Sequence, residues 1–457
     1  MPEMPKTDRP NILFIMADQF RHDHVSCTGA SWMRTPNIDR IASSGVRFTQ
    51  CTTNSPVCAP ARIGLAAGMQ PSRLGSVGND SFLPLSAPIY YRRLRDSGYR
   101  VGCVGKLDLA KPDPYNGRHG DRPVTYAWGF THPEECEGKM HAGVSPTPNG
   151  PYNFWLQERG LFEKFHADYT ARRANWIANC HDSVLPTDAF EDCYIGRRAA
   201  EWIARAPDDF PWHYFVSFVG PHDPFDPPAE YAERYRDAEM PPPVPVSDKG
   251  KPGWVTGRAK EFDPEFVAVT RRQYSAAIEC IDDQIGLIMR ALEERGQLEN
   301  TYVIFAADHG EMLGDHGLYT KSVPYEAALR VPLVVAGPGI EGGRVSDAVV
   351  ELIDVNPTIC DFAGVGAAEN IDARSLAPIM AGDTETHRED AVSAIRRFRL
   401  IRTASHKYVE SYNDEHELYD LAADPDEQRN IIADEPELAR ELRGRLAARY
   451  MEGECRR

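Results

Sequence analysis

The chain has 457 residues, 42% of them hydrophobic, which suffices for one large core and a smaller second lobe. Lys and Arg total 51 against 68 Asp and Glu, and the resulting net charge of −17 argues against a nucleic-acid partner. No window approaches the ~20 consecutive apolar residues of a membrane span.

The first predicted element is a buried strand over Asn11–Ala17 (NILFIMA), ended by Asp18. The residues before it lack the charged start, apolar stretch and cleavage site of a secretory signal. The expected location is cytoplasmic, with the periplasm the alternative for a chain that has shed a leader. ARIGLAAGM predicts a helix over 59–69, with Cys58 just before its N-terminus and Pro60 in its first turn. Free N–H groups and the helix dipole favour negative charge there, and Arg62, one turn on, can fold back towards Cys58. Taken alone, Cys58 reads as a low-pKa thiol or a merely buried one.

A helix over 87–97 leads to a strand over 99–104, followed by Gly105 and Lys106. Residues 110–190 are rich in Pro, Gly, His and aromatics without clear periodicity. They read as a long irregular insertion of the kind that builds substrate pockets. A helix over 195–206 precedes a strand over 213–219 (HYFVSFV), which runs into Gly220, Pro221 and His222. A second irregular stretch covers 221–262. A long helix over 271–295 places Tyr274, Ile278, Ile281, Ile285 and Ile288 at core spacing. The strand Thr301–Ala307 (TYVIFAA) then ends in Asp308 and His309. After a helix near 354–363 come strand-like pieces over 396–403 and 407–411 and a charged helix over 436–450.

This alternation predicts an α/β fold over residues 1–374, with a large mixed, mostly parallel sheet flanked by helices. Residues 375–457 read as a small C-terminal antiparallel sheet plus helix. In open α/β sheets, sites gather at the carboxyl ends of strands. Asp18, Lys106, His222 and Asp308 are therefore expected along one sheet edge. The ten cysteines include no CxxC pair, and the nine besides Cys58 are expected to be buried thiols.

Cys58-Ala59-Pro60-Ala61-Arg62, followed by IGLAAGMQPSR, resembles the signature of the formylglycine-dependent sulfatases of the alkaline phosphatase superfamily. NILFIMADQ, GKLDL, PHDPFDPP, FAADHGEMLGDHGLYTK and HELYDLAADPDEQRNI resemble that family's other segments, in order along nearly the whole chain. The resemblance implies an alkaline-phosphatase-like fold and a sulfuric-ester hydrolase. It implies that a separate maturation enzyme oxidises Cys58 to formylglycine (3-oxoalanine). One hydroxyl of the aldehyde hydrate would attack sulfur, and the other would help release sulfate.

The resemblance also implies metal ligands at Asp18, Gln19, residue 58, Asp308 and His309. An oxygen-rich set suits Ca²⁺, and the His309 nitrogen makes Mn²⁺ an alternative, with Mg²⁺ a third. Asp18-Gln19 with Asp308-His309 resembles the choline-sulfatase and phosphonate monoester hydrolase branches. Arg62, Lys106 and Lys321 are the implied cations around sulfate and nucleophile. His222 is the candidate for protonating the leaving oxygen. Asp108 stands where the family usually has His. As a carboxylate it suits a base rather than a donor, and His316 is the candidate substitute. Asn79 is a candidate substrate contact.

The expected substrate is a carbohydrate or other small organic sulfate ester. A phosphonate monoester or phosphodiester is the alternative within the same superfamily. The missing CxxC argues against a redox thiol protein, and the full set of site residues argues against a non-catalytic binder. The sequence does not reveal the oligomeric state.

Overall fold

A run of seven buried residues, Asn11–Ala17, forms strand β1, as expected of a strand covered on both faces. The computed structural model describes residues 9–247 and 249–455. The strands that follow are β2 (Gly45–Thr52), β3 (Arg100–Lys106), β4 (His132–Cys136), β5 (Trp212–Ser217), β6 (Thr301–Ala307), β7 (Leu333–Ala336) and β8 (Arg344–Glu351). Together they make one sheet in the order β4-β3-β5-β1-β6-β7-β2-β8. Only β7 runs antiparallel to its neighbours, β6 and β2. Helices on both faces bury the sheet, the longest being Pro264–Glu294.

A second, antiparallel sheet holds β9 (Ala391–Ile395), β10 (Phe398–Arg402), β11 (His406–Ser411) and β12 (Glu417–Asp420). The helix Pro436–Cys455 covers it, packing Leu442 and Leu446 on Val392, Ile401 and Leu418. Among the described residues no helix is long and apolar enough to cross a membrane.

Several boundaries differ from expectation. β3 runs on through Lys106, and β5 stops at Ser217, two residues early. The long helix starts at Pro264, where Asp263 accepts hydrogen bonds from the Glu265 and Phe266 amides. The 110–190 segment is not irregular throughout. It supplies edge strand β4 and the helices Lys139–Val144, Pro151–Glu158 and Phe162–Arg172. All ten cysteines are free, but Cys455 is exposed and Cys27 and Cys180 are half-buried, so burial is not general.

Candidate active site

β1 and β6 pair in parallel with Ala17 opposite Ala307. The next residue on each is an acid, so the Asp18 and Asp308 backbones start about 4.8 Å apart, one strand spacing. β5 lies on the other side of β1, with Ser217 opposite Met16. β3 lies beyond it, with Gly105 opposite Ser217. Four adjacent strands thus end at one level, and Lys106 closes β3 beside the acids. Lys106 Nζ pairs with the Asp18 carboxylate.

Over this edge sits the helix Cys58–Ala67, buried along its whole length. Cys58 is its first residue, not the one before it. Pro60 fits the first turn because no intrahelical partner awaits its missing N–H. The Ala59 amide donates to Asn79 Oδ1 (3.1 Å), so exposed Asn79 caps the start of the helix. Cys58 Sγ lies 3.2 Å from His309 Nε2 and 3.7 Å from Asp18 Oδ1. One ligand atom each from Asp18, Cys58, Asp308 and His309 falls within 4.8 Å of all the others. Burial and Asp18 push the thiol pKa up, but Lys106, Lys321 and Lys111 outweigh them and hold it well below its ordinary value. Burial likewise works against Asp18, which Lys106 and the other cations nonetheless keep well below the usual carboxylate range.

The donor chemistry fits a divalent cation: two buried carboxylates, a ring nitrogen, and a sulfur where a modified residue 58 would present oxygen. His309 Nδ1 lies 3.0 Å from the Gly310 carbonyl, which can only accept, so the neutral ring has a bare Nε2 facing the cluster. Gln19 is fixed differently. Its amide nitrogen donates to Asp223 Oδ1 (3.1 Å) and Glu311 Oε2 (2.6 Å), and its Oε1 accepts from Lys321. Its backbone N–H donates to Asp308 Oδ1 (3.0 Å).

Arg62 turns onto the strand ends. Its Nε donates to Asp308 Oδ2 (2.7 Å), and its Nη1 donates to the Lys106 carbonyl and Ser217 Oγ, both at 2.7 Å. It ties the ends of β3, β5 and β6 together. His222 Nδ1 faces the Asp223 carbonyl (2.7 Å), and its Nε2 lies 2.6 Å from Lys321 Nζ. With Nδ1 donating to the carbonyl, Nε2 of the neutral ring accepts from the Lys321 ammonium.

Sequence reasoning missed Lys139, Glu311, Asp223, Lys111 and His141. Lys139 lies in the former insertion and is buried. Its Nζ donates to the carbonyls of His222 (3.1 Å) and Pro224 (2.7 Å) and pairs with Asp226 Oδ1 (2.5 Å). Lys139→Met should cost about 3 kcal/mol, because it strands the buried Asp226 carboxylate. It should also lower kcat by about tenfold or more through a displaced His222, with KM less affected and Lys139→Arg partly restoring kcat. Steady-state kinetics and urea unfolding check both parts, and an unchanged kcat would remove Lys139 from the site.

Asp108 adopts φ 54° and sits between Lys106 Nζ (3.2 Å) and Lys111. Against its burial these lysines hold it well below the carboxylate range, so it is an anion. His141, one turn beyond Gly138, feels the charges of Lys111, Asp108, Lys106 and Cys58. A Cβ on Gly138 would sit 3.2 Å from Lys106 Cε, so this segment lies directly against the site. His316 is not brought into the cluster. Its ring stacks on Tyr325 and its Nδ1 meets Gln428 (3.2 Å), on the side of the C-terminal sheet. The φ of 55° at His316 turns the GDHG segment that way.

A family model described as Sulfatase matches residues 10–365. A second, described as N-sulphoglucosamine sulphohydrolase, C-terminal, matches 314–452. The chain is 28% identical to an arylsulfatase of Clostridium perfringens over 449 residues, covering 93% of this chain and 91% of that one. It is 29% identical to a choline-sulfatase of Rhizobium meliloti over 444 residues, covering 93% and 83%. The phosphonate monoester hydrolase of Agrobacterium radiobacter superposes with a TM-score of 0.82 at 25% identity, covering 97% of this chain and 96% of that one.

Proposed function

The chain belongs to the sulfatase family and is a sulfuric ester hydrolase; on that premise we propose that its nucleophile is a formylglycine made from Cys58 by a separate maturation enzyme. The observation that carries the proposal is the convergence of Cys58 with Asp18, Asp308 and His309 in one buried cluster. These residues, with Gln19 beside them, would hold a divalent cation, of which Ca²⁺ suits the oxygen-rich set best. Once bound, the cation supplies charge neutralisation at the sulfate oxygens and at residue 58. In the present chain Cys58 Sγ stands in for an oxygen of the hydrated aldehyde.

The chain's own groups have separable tasks. Lys106 and Lys321 flank residue 58 and offset the charge of a bound sulfate. His222, its ring held between the Asp223 carbonyl and Lys321, is the group that protonates the departing alcohol. Asp108, kept anionic by Lys106 and Lys111, accepts a proton from a hydroxyl at residue 58 during release. Asn79 fixes the helix start beside residue 58 and is the exposed group there that would contact a substrate. The substrate is a carbohydrate or other small organic sulfate.

The likeness to the phosphonate monoester hydrolase, with Gln19 and His309 in the metal set, supports a second reading: hydrolysis of a phosphonate monoester or phosphodiester. Peptide mass spectrometry around residue 58, on protein co-produced with a maturation enzyme, tests the nucleophile, and wholly unmodified cysteine would overturn it. On the matured protein, kcat/KM for 4-nitrophenyl sulfate should exceed that for phenyl phosphonate monoesters and diesters. The opposite order would favour the second reading.

A further inference from the structure

Resting on the sulfatase reading, we propose that Arg258 and Arg397 bind a second anionic group of the substrate, a sulfate or carboxylate carried beside the ester that is cleaved. Both residues are exposed. Among the described residues neither forms an ion pair with an acid, although acids outnumber bases by 17 in this chain. Elsewhere on the surface most arginines have found one. Two unmatched guanidiniums together are therefore the local cation cluster that an anionic ligand needs on an acidic protein.

Their placement ties them to the reacting centre. Arg258 donates to the carbonyls of Lys321 (3.1 Å) and Ser322 (3.3 Å), so its guanidinium is fixed to the backbone that carries the Lys321 side chain. Arg397 lies in the turn between β9 and β10, over the Trp254 ring at 5.7 Å from its centroid. Trp254 precedes Arg258 by four residues and stacks on Phe398. The Gly253 and Trp254 amides, which lead into this stretch, are held by Asp414.

The preceding turn residue, Arg396, pairs instead with Asp80. Asp80 follows Asn79, whose side chain caps the Cys58 helix. One turn of the C-terminal sheet thus touches the Asn79–Asp80 segment through Arg396 and, through Trp254, the stretch that carries Arg258. Burial lowers the pKa of Arg258, and the charge of Arg397 lowers it further, against a pull from Glu311. Guanidinium forks match the oxygens of sulfate and carboxylate equally well, so the shared chemistry is an oxyanion.

The test is calorimetric titration of the full chain carrying Cys58→Ala, with Ca²⁺ present. The three ligands are glucosamine 6-sulfate, glucosamine 2-N,6-O-disulfate and glucuronic acid 2-sulfate. At least one of the two dianions should bind tenfold or more tightly than the monosulfate, and the one that gains identifies sulfate or carboxylate. In Arg397→Ala that advantage should fall to threefold or less. Equal binding of all three ligands, or an advantage that survives Arg397→Ala, overturns the proposal. Turnover of 4-nitrophenyl sulfate by matured wild-type protein is measured separately. A dianion preference without that turnover would sink the sulfatase reading while leaving the anion site standing.

Discussion

Cys58→Ala should lower turnover of 4-nitrophenyl sulfate by at least about 10⁴-fold, the scale seen when a covalent nucleophile is removed. The fold should survive. Cys58 is buried, but it packs against charged groups rather than the apolar core, and the change deletes a single heavy atom. Its neighbours Asp18 and His309 keep other partners, Lys106 and the Gly310 carbonyl. The melting temperature should therefore move by only a few degrees, as for a substitution costing within about 1 kcal/mol. Activity assays and circular-dichroism melts on one preparation decide the matter. Retained turnover would show that the reaction does not pass through residue 58, and a collapsed melt would make Cys58 a packing residue.

Arg62→Met should be the most destabilising single change at the site, by about 3–5 kcal/mol. The side chains of Arg62 and Asp308 are 2% and 0% exposed, so Asp308 would be left charged and unpaired in the interior. The loss also frees the Lys106 carbonyl and Ser217 Oγ. A bound divalent cation supplies positive charge to the same carboxylate. The penalty measured by urea unfolding should therefore be largest in chelator and smaller in excess Ca²⁺. A penalty below about 1 kcal/mol, or one indifferent to the metal, would count against both the ion pair and the assignment of Asp308 to the metal. Turnover should fall as well, because Arg62 aligns the strand ends that carry Lys106 and Asp308.

The residues most readable from sequence are those that end buried strands. β1 and β6 were expected at their observed boundaries, because a strand covered on both faces shows as an unbroken apolar run stopped by a polar residue. That pattern placed Asp18 and Asp308 at one sheet edge, while their role as metal ligands came from the family resemblance. β4 was not legible, since HPEEC is an edge strand whose outer residues face solvent and carry no apolar signal. Lys139 and Glu311 were invisible for another reason. Each acts through atoms far away in sequence, Lys139 through carbonyls 83 and 85 residues on and Glu311 through a side chain 292 residues back. No spacing rule links such residues. Arg62 was expected to fold back towards Cys58, but its partners Asp308, Ser217 and the Lys106 carbonyl were not legible, because periodicity gives the face of a helix and not the partner. His316 shows the reverse error: a suggestive GDHG stretch, turned away by its backbone to stack on Tyr325.

The helix Cys58–Ala67 is enclosed along its whole length, and its first residue is buried with the rest. A visiting protein catalyst cannot thread its own active site around a residue so enclosed. If residue 58 is converted, the conversion belongs to the moments when the chain is still extended, on or just off the ribosome, before β1 and β6 close beneath it. Biogenesis then becomes a race between chemistry and folding. Copies that fold first would be intact in every physical respect yet permanently inert. The active fraction of a preparation should therefore depend on how slowly the chain was made rather than on how well it folded.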